Sequence, residues 1–266
     1  MAQSGGRREA GGSGGDPRAA RCLEGGAIRL YWWRGVPNLG DSVSARIVAG
    51  LSGRRVSAVE RSDRRKLLAC GSVAHRARAG DIVWGSGSIE PDRPPSSGDI
   101  DVRAVRGPRT RAMLLAAGIA CPEVYGDPAL LLPAILPQRR AAPRHRLAII
   151  PHYQDKPLVR SDDPAVRVLD VQGELEGFLD ELLACERAVS SSLHGLIFAE
   201  AYGIPAFELR LGDEVRGAEH KFRDYYEGSG RERPEPLSLA TIAREPTWRA
   251  PALDPAFAAS FPFRPA

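Results

Sequence analysis

Apolar residues along this chain fall into short dense runs that alternate with stretches whose apolar positions recur roughly every three to four residues. The first dense run, Ala27-Ile28-Arg29-Leu30-Tyr31-Trp32-Trp33, is rich in aliphatic and aromatic residues and predicts a strand. After a Gly/Pro/Asn loop, Asp41 opens a predicted helix with Val43, Ile47, Val48 and Leu51 on one face. Further strands are predicted over 66–70, 81–84 and 101–105. A helix is predicted over 108–117, with Pro108 in its first turn and Gly118 at its end. The second half repeats the alternation, with strands over 147–150, 166–171, 187–190 and 205–209 and helices over 175–185 and 193–202. Such alternation predicts an α/β fold, a mostly parallel sheet with helices on both faces.

Pro133 to Arg146, rich in Pro, Ala, Gln and Arg, interrupts the pattern and predicts a linker. Two Rossmann-like halves facing a cleft follow, an N-terminal one over 26–137 and a C-terminal one over 144–232. Residues 1–25 hold little to bury and are expected to be disordered. Residues 233–266, with many prolines, are expected to form an extended tail with one short helix at most. No internal repeat is visible.

Composition narrows the function. Of 266 residues, 43% are hydrophobic and 26% charged, the balance of a globular protein. No apolar run is long enough to span a bilayer, and the start lacks a signal-peptide core, so a cytoplasmic location is expected. Cys22, Cys70, Cys121 and Cys185 are scattered, which argues against disulfides or a structural zinc. The net charge of +4 comes mainly from dispersed arginines with few aromatics among them, so nucleic acid is not an expected partner. Arginine also serves as a planar clamp for phosphate and carboxylate groups.

Candidate chemistry gathers at strand-to-helix turns. Ser190-Ser191-Ser192-Leu193-His194-Gly195 places hydroxyls, helix N–H groups and a histidine together, a pattern suited to an anion beside a proton-transfer group. Gly35-Val36-Pro37-Asn38-Leu39-Gly40-Asp41 follows the first strand, where doubly wound sheets bind ligands, although Asp41 also suits a helix cap. Trp84-Gly85-Ser86-Gly87-Ser88 offers small residues whose N–H groups suit an anion-holding concavity. Arg106 and Arg109 flank Pro108 at a helix start, where a bound anion would offset their conflict with the helix dipole. Asp127 fits either the site or an Asx turn. His152 follows a strand and is expected to face the cleft, whereas His75 and His145 sit among arginines and read as surface residues. His152, His194 and His220 lack metal-ligand spacing, so no metal is expected.

Taken together, these segments resemble the polysaccharide pyruvyl transferase family. The matching pieces are Asn38-Leu39-Gly40-Asp41, Trp84-Gly85-Ser86-Gly87, Arg103 to Thr110, Tyr125-Gly126-Asp127-Pro128, Ser192-Leu193-His194-Gly195 with Tyr202-Gly203-Ile204-Pro205, and Lys221 to Tyr226. The resemblance covers about residues 27 to 230 and implies two Rossmann-like domains akin to the GT-B glycosyltransferase architecture. It also implies transfer of pyruvate from phosphoenolpyruvate to a sugar of a surface or exopolysaccharide, or its lipid-linked precursor, as a cyclic ketal. Peripheral membrane association would then come through the acceptor, and no cofactor is implied beyond the donor substrate.

Under this resemblance His194 is the expected general acid or base, and Asp41 holds or deprotonates a sugar hydroxyl. Asn38, Gly40, Ser86, Gly87, Arg106, Arg109, Ser191, Ser192 and Lys221 are expected at the substrates. Many family members carry arginine where this chain has Ser192, which shifts donor binding toward Arg106, Arg109 or Lys221. A nucleotide-sugar glycosyltransferase of the same architecture, or a catalytically silent glycan- or anion-binding relative, are the rival readings.

Overall fold

The computed structural model describes residues 16–96, 98–138, 142–212, 215–244 and 246–263. The expected disorder over 1–25 is corrected from Asp16 onward; the rest of that expectation lies outside the described residues. Asp16 caps a short helix, α1 (Pro17–Arg21), by accepting from the Arg18 and Ala19 amides, and β1 (Leu23–Glu24) follows. The small buried Ala19 and Cys22 anchor this segment, so it folds despite its polar composition.

The first sheet continues with β2 (Ala27–Tyr31), α2 (Leu39–Ser52), β3 (Val56–Ala58), β4 (Leu67–Leu68), β5 (Ile82–Trp84), β6 (Asp101–Ala104) and α3 (Pro108–Ala116). Its strands pair in parallel, apart from β1, which runs antiparallel to β2. A short helical turn, α4 (Leu132–Ile135), leads to the second sheet. That sheet comprises β7 (His145–Ile150), β8 (Val166–Val168), β9 (Cys185–Ser190) and β10 (Ala206–Glu208), all parallel in the order β10-β9-β7-β8. Helices α5 (Leu175–Leu183), α6 (Leu193–Ala201), α7 (Ala218–Gly228) and α8 (Pro255–Ala259) complete the chain. The strands are mostly shorter than the dense runs suggested. In a parallel sheet covered on both faces, apolar runs carry past the last ladder bond into buried loop.

One apolar cluster runs through both halves, joining Ile28, Leu30 and Val43 of the first to Ile150, Leu196 and Phe198 of the second. The C-terminal segment belongs to it. Phe257 stacks on Trp84 with ring centroids 4.8 Å apart, and the Trp84 indole donates to the Phe257 carbonyl. The one short helix of this segment among the described residues, α8, packs against the first sheet. Polar ties also cross between the halves. Arg106 and Asp224 are both fully buried, 3.1 Å apart, and lock α7 against the N-terminal half.

Candidate functional site

Each parallel sheet reverses its winding once, and a crevice opens there at the carboxyl ends of the strands. In the first sheet β2 pairs with both β3 and β4; in the second β7 lies between β8 and β9. A cavity of about 330 Å³ lies where the loops from these two crevices meet. Trp33, Asn38 and Asp41 reach it from the segment after β2, and Ser72, His75 and Arg76 from the one after β4. His152 and Tyr153 arrive after β7, Ser192 and His194 after β9, and Lys221 from α7.

Two helix N-termini open on the cavity. Asn38 caps α2 by accepting from the Gly40 amide at 2.9 Å, and Ser192 precedes the first turn of α6. Both present the positive end of a helix dipole, which favours an anionic ligand. The helices approach so closely that a Cβ at Gly40 would collide with the His194 ring. His194 Nε2 lies 3.6 Å from Asp127 Oδ2, and both atoms are buried without a hydrogen-bond partner among the described residues. The other Asp127 oxygen accepts from the Ala129 amide at 3.0 Å, fixing the carboxylate in an Asx turn. Asp127 thus serves the turn with one oxygen and faces the imidazole with the other.

Burial pushes the Asp41 carboxyl up to about 6, while His194 and Lys221 pull it back down. Burial brings the Lys221 ammonium down to about 8; Arg106 lowers it further, and Asp41 and Asp155 oppose that. Lys221 has no ion pair within 4 Å among the described residues. Burial also lowers His152 and His75 to about 4, helped by Lys221 beside the first and by Arg76, Arg93 and Arg61 beside the second. Both imidazoles are neutral near pH 7. The site thus offers an imidazole, a carboxylate that gains its proton near pH 6, and cationic groups for an anion.

Of the residues expected here, Asn38, Asp41, Ser192, His194 and Lys221 line the cavity, and Gly40 packs beneath His194. The others lie behind it or away from it. Ser86 is buried, donating to the Gly71 carbonyl at 2.9 Å and accepting from the Val73 amide. The amides of Gly85, Gly87 and Ser88 already bond Ala104, Gly71 and Thr110, so the Gly-Ser-Gly-Ser turn is not an open anion cradle. It holds the Gly71–Val73 loop instead. Gly87 is required because a Cβ would collide with the Arg106 guanidinium.

Arg106 spends its donors on Asp224, Ser72 and the Ser88 carbonyl, so it buttresses the Ser72 wall from behind. Arg109 points elsewhere, to a part-exposed pair with Glu227 at 2.6 Å. Ser191 is also behind the wall, accepting from the His152 amide at 2.9 Å. The surface reading of His75 is corrected too, since it is only 8% exposed and lines the cavity. Trp33, Arg76, Tyr153 and Arg216 are lining residues that the sequence did not single out.

Among the described residues, no group of three metal-ligating side chains is assembled, and no helix is long and apolar enough to cross a membrane. The family model described as polysaccharide pyruvyl transferase matches residues 62–207. An uncharacterized protein, L143, of Acanthamoeba polyphaga mimivirus is 32% identical over 183 residues, covering 65% of this chain and 63% of that protein. The succinoglycan biosynthesis protein ExoV of Rhizobium meliloti (strain 1021) is 28% identical over 190 residues, covering 66% of this chain and 58% of its own. The chain therefore spans about three fifths of the length of these two relatives. No solved structure matches the chain significantly.

Proposed function

The chain belongs to the polysaccharide pyruvyl transferase family, and from that premise we propose that it moves the pyruvyl group of phosphoenolpyruvate onto two hydroxyls of a sugar, forming a cyclic ketal. The acceptor in this reading is a sugar of a surface or exopolysaccharide or of its lipid-linked precursor. One observation carries the proposal. An imidazole backed by a buried carboxylate, a second carboxylate and an unpaired lysine share one cavity between two helix N-termini.

The donor is a dianionic to trianionic molecule, and this cavity suits it. Lys221 and the first turns of α2 and α6 supply the positive potential for its phosphate and carboxylate. The reaction needs a proton on the methylene carbon, which becomes the ketal methyl. One sugar hydroxyl adds to the neighbouring carbon, and the second displaces phosphate. Two hydroxyl protons leave, one replacing the proton given to carbon and one leaving with phosphate, so the step balances. His194, facing Asp127, is the group proposed to carry a proton in this sequence. Asp41, ionised above about pH 6, is the base for an attacking hydroxyl.

Replacement of His194 tests the reading. His194→Ala is expected to cut phosphoenolpyruvate-dependent phosphate release and the appearance of the ketal methyl signal by about 10²–10⁴-fold, the usual share of a general acid–base group. The thermal melt should be unchanged. Full turnover in the variant would remove His194 from the mechanism. Release of nucleotide from nucleotide sugars, with none of phosphate from phosphoenolpyruvate, would replace the reading with glycosyl transfer.

A further inference from the structure

The cavity holds a cation that the roles above leave unused. Arg76, at the end of the short helical turn Ala74–Arg76 after β4, lines the cavity, and its guanidinium carbon sits over the Trp33 ring at 4.7 Å from the centroid. The Tyr31 hydroxyl, at the end of β2, is its hydrogen-bond partner. No carboxylate lies within 4 Å of Arg76 among the described residues. The third cationic side chain on the cavity, Arg216, is spent on Glu90 at 2.5 Å. Arg76 is therefore a partly buried guanidinium facing a cavity without a counterion.

Its support is unusual as well. Trp33 is 39% exposed, the one aromatic among the large exposed apolar side chains of the described residues. Gly35 approaches the same ring so closely that a Cβ there would collide with it. A guanidinium stacked on an indole loses little freedom on binding, because its plane is already fixed, and the edge donors that Tyr31 does not take remain for a ligand. Those donors match the paired oxygens of a carboxylate or phosphate.

We propose that Arg76, held on the Trp33 ring, is an anion clamp of this cavity, and that it binds the carboxylate or phosphate of the donor in the cavity it shares with Lys221. The identity of the anion as donor rests on the pyruvyl-transfer reading, whereas the clamp itself rests on the geometry. Trp33 acts through Arg76 and is a positioning residue.

Calorimetric titration of the full chain with phosphoenolpyruvate, and separately with inorganic phosphate, tests this for the wild type, Arg76→Ala, Arg76→Lys and Trp33→Leu. The expected result is a Kd for phosphoenolpyruvate raised about 10- to 100-fold in Arg76→Ala, as when one charge-assisted hydrogen bond is lost. Arg76→Lys and Trp33→Leu should fall between it and the wild type, with thermal melts unchanged. Equal phosphoenolpyruvate affinity in wild type and Arg76→Ala would overturn the clamp and leave the pyruvyl-transfer reading standing. Phosphate binding that depends on Arg76, without binding of phosphoenolpyruvate, would keep the clamp and remove that donor. Absence of both ligands from the wild type would overturn both.

Discussion

At the scale of single residues, the site works by placing charged groups where water is scarce. Asp41 and Lys221 are opposite in charge and share one cavity, yet burial dominates both and moves their pKa values toward each other, to about 6 and about 8. The active form under the proposed chemistry has Asp41 ionised and Lys221 protonated, and those two conditions hold together only between the two values. We therefore expect kcat/KM to fall below about pH 6, where Asp41 gains a proton, and above about pH 8, where Lys221 loses one. Lys221→Arg should shift the alkaline limb upward by keeping the cation charged, and Asp41→Asn should lower the rate and erase the acidic limb. An acidic limb that survives in Asp41→Asn would assign it to another group.

At the scale of elements, the decisive contact is between the first turns of α2 and α6. These helices come from different sheets, and their N-termini meet because Gly40 has no side chain to hold His194 away. Asn38 caps one helix and Asp127 backs the imidazole at the other, so one small region sets both the dipoles and the histidine. Gly40→Ala should push the His194 ring from its position opposite Asp127. An activity loss of about 10²-fold is expected, as for a misplaced catalytic group. Stability should fall by about 1–3 kcal/mol from overpacking. Turnover and a urea midpoint both equal to the wild type would show that the ring gives way without consequence. α7 is a second such element, because its Asp224 is bound by Arg106 and Thr110 while Lys221, three residues earlier, reaches the cavity.

At the scale of the molecule, the cavity exists because two winding reversals face one another across a shared core. The C-terminal segment helps hold that arrangement by laying Phe257 on Trp84, at the strand end that leads into the Gly85–Ser88 turn. Phe257 is fully buried, so Phe257→Ala should destabilise the protein by about 3–5 kcal/mol. The readout is the urea midpoint at constant m-value. A change below about 1 kcal/mol would mean that the segment is an ornament on the first sheet rather than part of its core.

Much of this was legible in the chain itself. The alternation of dense apolar runs with amphipathic stretches determined an α/β fold, because strand and helix periodicities are local properties of sequence. The turns after β2 and β9 were also legible, since glycine, asparagine and serine before a helix have few other uses. His194, Asp41 and Asn38 could be named on that basis, and the family resemblance added Lys221. The tertiary structure decided which cations reach the cavity. Arg106 and Arg109 look like anion ligands in sequence, but an arginine's destination depends on which carboxylate meets it, and Asp224 and Glu227 lie more than a hundred residues away. Arg76 looked like one arginine among many, and only folding set it on Trp33 without a counterion. Asp127 likewise met His194 only through the packing of α6 against the Pro128–Leu131 turn. Local pattern fixes elements and their ends; long-range pairing of charges, which no period records, fixes the site.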